Sequence, residues 1–368
     1  MSASIGDVAQ LAGVSVATVS RAIRGLPNVS PSTRDRVLRA AEQLQYSAHP
    51  HASRLAAGHT MTVGMAVPVL TQWFFAQVVA GAEGVLAASG YDVLLYSVPD
   101  NHAKQRFVDR MPFSKRVDGL IAVDLLFVSS EFERLTAQPV PLVTVGTSHD
   151  GAPSVTIDNV DGAVKAARHL VNLGHRRIGL ITHHQPYALS FAAPLQRRRG
   201  YELVLAEAGI TVRENLIAPG NLMAAARRVA PLETAQGSSR RGSLALQGGA
   251  EAMAQLLTVD RPPTAVFAES DEMAVGALKT VRDAGLHVPG DVSIIGFDDH
   301  DMAAYCDLTT VAQPVQQQGE TAAALLVEHM HDDTGMRETT SVVLPTKIVV
   351  RATTGPHRSG RADIAAVP

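Results

Sequence analysis

The chain has 368 residues, 46% apolar and 18% charged, with a formal net charge of −3. That length exceeds one ordinary hydrophobic core and implies two or three folding units, and the composition is globular rather than disordered. Apolar runs such as 140–145 and 292–297 fall far short of the roughly 20 residues of a membrane span, the N-terminus lacks a signal-peptide pattern, and the single Cys306 excludes an internal disulfide, so a cytoplasmic protein without a membrane partner is expected.

Charge is unevenly spread. Residues 1–60 hold Arg21, Arg24, Arg34, Arg36, Arg39 and Arg54 against Asp7, Asp35 and Glu42, a local balance of +3. The remaining residues therefore sum to −6. A small basic head on an acidic body points to a module that meets a polyanion.

The head predicts three short helices. Ile5, Val8, Ala9 and Ala12 follow helical spacing and Gly13 breaks it. Ser15 opens a second segment with Val16, Val19, Ala22 and Ile23. Ser30 and Pro31 open a third, in which Val37, Leu38, Ala41 and Leu44 form the expected inner face. Helix, glycine turn, helix is the pattern of a small all-α helix-turn-helix domain. Val16, Ala17 and Arg21 are expected to face outward on the second helix. There small apolar side chains can touch thymine methyls and an Arg can bond guanine. Ser15, Thr18 and Ser20 carry hydroxyls suited to phosphates.

Residues 6–46, with the run VAQLAGVSVATVSR, resemble the head of the LacI/GalR family of repressors almost residue for residue, and the resemblance continues to about residue 350. It implies that Val16, Ala17 and Arg21 read bases and that Ser15, Thr18, Ser20 and Asn28 serve the DNA backbone. Thr33 stands where the family often has an acid, which weakens that helix's capping box. Residues 49–60 are too short to form a stable helix alone. By the resemblance they are a hinge helix ordered on DNA, with Leu55 wedging between base pairs in the minor groove.

From Met61 short β-rich runs alternate with helical stretches, in two successive series. This predicts an α/β body of two similar lobes with parallel sheets. The resemblance implies a periplasmic-binding-protein-like body that holds a ligand between the lobes. The expected division is 1–48 for the head, 49–60 for the hinge and 61–356 for effector binding and dimerisation, with a disordered tail at 357–368. Lobe one would take 61–159 and 316–345, and lobe two 160–314 and 347–356.

Ligands of such sheets bind at the carboxyl ends of strands. Trp73, Phe74 and Phe75 follow the first strand and could stack on a sugar ring. By the resemblance, Arg197 and Asp298 hold the effector. Ser270 and Asp271 end another strand, with Ser270 where many relatives carry Asn. Gly146-Thr147 replaces a common Asp-Arg, and residues 221–247 run longer than the family norm, with GSSRRGS as an expected surface loop.

No nucleotide-binding, nucleophile-elbow or zinc-protease motif occurs, so neither an enzyme nor a cofactor is expected. His183-His184 and the His329/His331 pair lack a third ligand at metal spacing and read as solvated histidines. The expected function is a transcriptional repressor. It would bind double-stranded operator DNA as a homodimer under control of a small-molecule effector. A sugar or related polyol fits best, and a purine or other metabolite stays open. An activator of the same family, or a sugar-binding protein without DNA reading, is the alternative.

Overall fold

The computed structural model describes residues 3–23, 27–45, 59–183, 192–220, 244–331 and 339–357. The chain divides into two compact units, Met1–Thr62 with Lys115–Asp118, and Val63–Ser114 with Gly119–Pro368. The expected hinge with Leu55, the loop 221–243 and the tail from 358 lie outside the described residues.

In the first unit α1 (Ile5–Ala12) begins with a reciprocal cap. Ser4 Oγ accepts the Asp7 N–H at 3.3 Å while Asp7 Oδ2 accepts the Ser4 N–H at 2.7 Å. Gly13 closes α1 at φ 62°, a left-handed conformation that any side chain disfavours. Ser15 Oγ accepts the Thr18 N–H at 3.2 Å and starts α2 (Val16–Ile23). Ser30 Oγ does the same for Thr33 at 3.3 Å and starts α3 (Pro31–Gln43). The three helices bury Val8, Ala9, Ala12, Val19, Ala22, Val37, Ala40 and Ala41. Leu38 departs from expectation and is 47% exposed. Positions 37, 40, 41 and 44 step around the helix as one stripe, and Leu38 lies about 100° from Val37 on that circle.

The second unit is the expected pair of α/β lobes. Lobe one contains β1 (Thr62–Val67), α4 (Trp73–Ala88), β2 (Asp92–Ser97), α5 (Asn101–Arg110), β3 (Gly119–Val123), α6 (Ser129–Thr136), β4 (Leu142–Val145) and β5 (Ser154–Ile157). Lobe two contains α7 (Asn159–Asn172), β6 (Ile178–His183), α8 (Ala192–Glu207), β7 (Ile217–Gly220), α9 (Leu244–Leu257), β8 (Ala265–Ala268), α10 (Asp271–Asp283), β9 (Ser293–Asp298), α11 (Asp301–Tyr305) and β10 (Thr309–Ala312). The chain then returns to lobe one as α12 (Val315–His331) and β11 (Ser341–Leu344), and ends in lobe two with β12 (Lys347–Val349).

The first sheet runs β11-β5-β4-β3-β1-β2 and the second β12-β10-β9-β8-β6-β7. Pairing is parallel from β1 through β3, β4 and β5 to β11. It is parallel from β7 through β6, β8 and β9 to β10, with β12 antiparallel at the edge. The central strands are buried on both faces, as in β3 (GLIAV) and β8 (AVFA). Strand order reverses between β1 and β3 and again between β6 and β8. In open parallel sheets those switch points open crevices at the carboxyl ends of the strands.

Small residues let the covering helices approach closely. Gly81 of α4 faces the Gln316 carbonyl of α12, and Gly319 of α12 faces the Val78 carbonyl of α4. A Cβ on either would stand 2.1 or 2.0 Å from those oxygens. Backbone cannot yield cheaply, so Gly319→Ala is expected to cost about 1–3 kcal/mol and to lower the melting temperature measured by calorimetry.

Lobe two also anchors the last segment through His175, which is 2% exposed. Its Nδ1 meets Thr264 Oγ1 at 3.0 Å, and its Nε2 lies 3.1 Å from Ser293 Oγ and 3.0 Å from the Gly355 carbonyl. Burial pushes this imidazole down to about 4 from 6.5. Between those values the unfolded chain takes up a proton that the folded chain refuses, so stability falls as pH drops through that window. His175→Gln removes this contribution. The stability advantage of the parent over the variant is expected to shrink as pH falls from 6.5 towards 4, measured by denaturant unfolding at each pH.

Candidate DNA-reading helix and ligand cleft

On α2, Ser15, Val16, Ala17 and Arg21 are exposed, Thr18 and Ser20 are half-buried, and Val19 and Ala22 anchor the opposite face. The alternation follows from helical spacing. It leaves an outward stripe of two small apolar side chains and, one turn on, a guanidinium. Ser15 Oγ and Thr18 Oγ1 lie 2.9 Å apart, so the hydroxyls expected at phosphates also build the helix start. Asn28 is exposed at φ 72°, a left-handed position that Asn tolerates better than most residues.

In the body, Arg197 organises the strand ends of lobe two. It is 7% exposed and stacks its guanidinium 3.7 Å from the Phe297 ring centre. Its Nε donates to Asn159 Oδ1 at 2.9 Å and its Nη1 donates to the Glu269 carbonyl. Asp298 Oδ1 lies 3.9 Å from the same Nη1. That Asp also accepts from Gln313 Nε2 at 2.6 Å, and Gln318 Nε2 in turn donates to Gln313 Oε1 at 2.9 Å. Asp298 adopts φ 121°, a costly backbone region for a residue with a Cβ. Burial raises its carboxyl above the usual carboxylate range, against the pull of Arg197 and the Gln313 hydrogen bond.

Ser270 and Asp271 are occupied within lobe two. Ser270 Oγ caps α10 by accepting the Met273 N–H at 3.3 Å. Asp271 is fully buried, with Oδ1 accepting from the Thr310 hydroxyl at 2.6 Å and Oδ2 from the His300 N–H at 2.8 Å. Burial, then the nearby Asp298 charge, raise its carboxyl as well. Both oxygens hold the ends of β9 and β10 in place.

Three residues not singled out as ligand contacts in sequence join this centre. Asp124 directly follows β3. Its Oδ1 is buried without a hydrogen-bond partner, and burial lifts the carboxyl to about 6, with Arg197 and His183 pulling it down. Gly146 leaves it room, since a Cβ there would stand 3.3 Å from Asp124 Oδ1. Glu269 directly follows β8 and is fully buried. Its Oε2 accepts from the Thr182 hydroxyl at 2.8 Å and the His183 N–H at 3.1 Å, while Oε1 has no partner. His183, expected to be solvated, is half-buried, with Nδ1 3.5 Å from Glu269 Oε2. Each is a polar residue at or just past the end of an apolar strand, and that placement was the available signal.

The three aromatics after β1 divide. Phe75 is 4% exposed and belongs to the lobe core, packed edge-on to half-buried Phe74 at 5.3 Å. Trp73 reaches across to lobe two. Its Nε1 donates to Asp301 Oδ2 at 3.1 Å and its ring lies 4.7 Å from that of His300. A cavity of about 480 Å³ opens beside Trp73, lined by Gln77, Asp301, Gln316, Gln317 and Glu320 among others. None of Arg197, Asp298 or Glu269 lines it.

A helix-turn-helix unit joined to a two-lobed α/β body with polar strand ends defines the class of DNA-binding regulators built on a periplasmic-binding-protein-like body. Residues 4–49 match the bacterial regulatory proteins of the lacI family. Residues 60–231 match the periplasmic binding proteins and sugar binding domain of the LacI family, and 167–354 a periplasmic binding protein-like domain. The chain is 33% identical over 358 residues to catabolite control protein A of Priestia megaterium, covering 96% of this chain and 100% of that one. It is 34% identical over 360 residues to the repressor CytR of Escherichia coli K12, covering 96% of each. Its fold superposes on a Lac repressor dimer bound to operator and anti-inducer with a TM-score of 0.77 at 27% identity, covering 96% and 100% of the two chains. A CelR–cellobiose complex superposes with a TM-score of 0.62 at 30% identity, covering 95% and 99%. The chain belongs to the LacI family of bacterial transcription regulators. Those relatives regulate transcription and are not enzymes, and this chain is a DNA-binding regulator of the same kind.

Asp124 offers a direct test of the electrostatics in the ligand-free protein. A carboxyl held at about 6 instead of 3.8 contributes stability at low pH that is lost as pH rises through about 6. Asp124→Asn is therefore expected to gain melting temperature relative to the parent between about pH 4 and 6, and to hold that gain above. A difference that stays flat across the range would mean that the carboxyl is solvated.

Proposed function

We propose that this regulator is a cytoplasmic repressor that reads a palindromic operator as a homodimer and is controlled by a small hydroxylated metabolite held between its lobes. The observation that carries the reading is the pairing, in one chain, of an outward stripe on α2 with buried, unpartnered polar atoms at the strand ends of the body. Residues 1–48 form the DNA-binding domain, 49–60 the hinge and 61–356 the effector and dimerisation domain. Val16, Ala17 and Arg21 read base edges, while Ser15, Thr18, Ser20 and Asn28 position the helix on the backbone. Leu55 enters the minor groove from the hinge.

A two-fold dimer suits a two-fold operator, and the Lac repressor relative is a dimer on its operator. Arg197 and Asp298 orient the effector, with Phe74 at the wall, the buried Phe75 packed behind it, and Ser270 and Asp271 supporting the floor. A sugar is favoured by hydroxyl-binding chemistry at the strand ends, and by relatives bound to cellobiose and ribose. The effector shifts the lobes only through a difference in affinity for two arrangements, on the usual scale of about 1–3 kcal/mol.

Selection from random double-stranded DNA at near-physiological salt, followed by titration of the recovered site, tests the reading. The parent is expected to enrich a palindrome. Arg21→Ala is expected to bind it at least about tenfold more weakly with unchanged thermal unfolding. Parent-like affinity in that variant would remove Arg21 from base reading. Salt-sensitive binding without any enriched sequence would remove operator reading altogether.

A further inference from the structure

The polar groups at the β6/β8 switch point carry information about the ligand's charge. Glu269 follows β8, His183 ends β6, and these strands are neighbours in the sheet. Glu269 is fully buried, yet Oε1 accepts no hydrogen bond, and the Oδ1 of Asp124 is likewise buried and unpartnered. Leaving such acceptors without donors costs free energy that a ligand can recover. Two acceptors without donors call for a ligand rich in N–H or O–H groups.

The nearby guanidinium already has partners on two of its nitrogens. Arg197 spends Nε on Asn159 and Nη1 on the Glu269 carbonyl, and that Nη1 lies 3.9 Å from Asp298. Asp298 lies beside Arg197, Asp124 is close enough to feel the charges of Arg197 and His183, and the Glu269 carboxyl meets the His183 ring, so carboxyl groups outnumber the guanidinium here. Bringing a phosphate or carboxylate into this set would bury like charges together. An ammonium would supply donors and offset the excess of carboxylates.

We infer that the cleft selects a hydroxyl-rich ligand bearing a protonated amine, that Glu269 and Asp124 are its specificity-determining acceptors, and that anionic sugar derivatives are excluded. This rests on the reading of the cleft as a small-molecule site.

Isothermal titration of the full-length protein at pH 7.5 with matched trios separates the two statements. The probes are glucose, glucosamine and glucose 6-phosphate, with the corresponding galactose and mannose sets. In a trio that binds, the amino sugar is expected to bind about tenfold tighter than the parent sugar, and the phosphate ester at least tenfold more weakly. Glu269→Gln is expected to abolish the amine preference, so that amino sugar and parent sugar bind this variant alike, because an amide keeps an acceptor and loses the charge. Should that variant fail to fold, Asp124→Asn is expected to reduce the same preference. A phosphate ester that binds as well as its parent sugar would overturn the inference and leave the cleft reading standing. So would an amine preference unchanged in a folded Glu269→Gln. Silence across all three trios would overturn the inference together with the sugar reading of the cleft.

Discussion

A guanidinium cannot shed its proton, so burying Arg197 obliges the fold to surround it with partners. Those partners come from separate elements. Asn159 opens α7, the Glu269 carbonyl follows β8, and Phe297 and Asp298 end β9. One charge therefore fixes where three strand and helix ends of lobe two stand. It also reaches Asp124 at the end of β3 in lobe one, whose carboxyl it steadies against the cost of burial. A buried ion of this kind is weak evidence for stability, because desolvation offsets most of the attraction. Its effect is to specify one arrangement of polar groups around the cleft.

The same groups connect ligand chemistry to the relation between lobes. Asp298 accepts from Gln313, which sits in the connection between β10 and α12, and Gln313 accepts from Gln318 inside α12. Since α12 packs on α4 through Gly81 and Gly319, this chain of hydrogen bonds runs from a lobe-two carboxyl into the helical layer of lobe one. Trp73 makes a second link, from the start of α4 to Asp301 and His300. A ligand that took Asp298 Oδ1 from Gln313 would free that amide, and α12 begins two residues later. Differential affinity for two lobe arrangements then has a physical route.

Much of this was legible in the chain. Helical spacing, the left-handed turn at Gly13 and the caps at Ser15 and Ser30 are local properties, and they placed α1, α2 and α3 correctly except for the side on which Leu38 falls. Runs such as GLIAV and AVFA declare buried parallel strands because both faces are covered. The short strands TTVA, SVVL and KIV were not separable by pattern, since three or four residues hold too little periodicity and their partners lie far away in the chain. The candidate site was half visible. Resemblance pointed to Arg197 and Asp298, which the structure brings to 3.9 Å of each other, while Glu269 and His183 meet only because β6 and β8 are neighbours in the sheet, 86 positions apart.

The sequence by itself determined the two architectures and the outward stripe of α2, because helix and strand periods are set by backbone geometry over a few residues. Tertiary structure alone decided which carboxyls lose their water, which oxygens are left without donors, and which cation they share. Those outcomes depend on distance and burial. Both are set by strand order and by the chain's passages between lobes, and no local pattern records them.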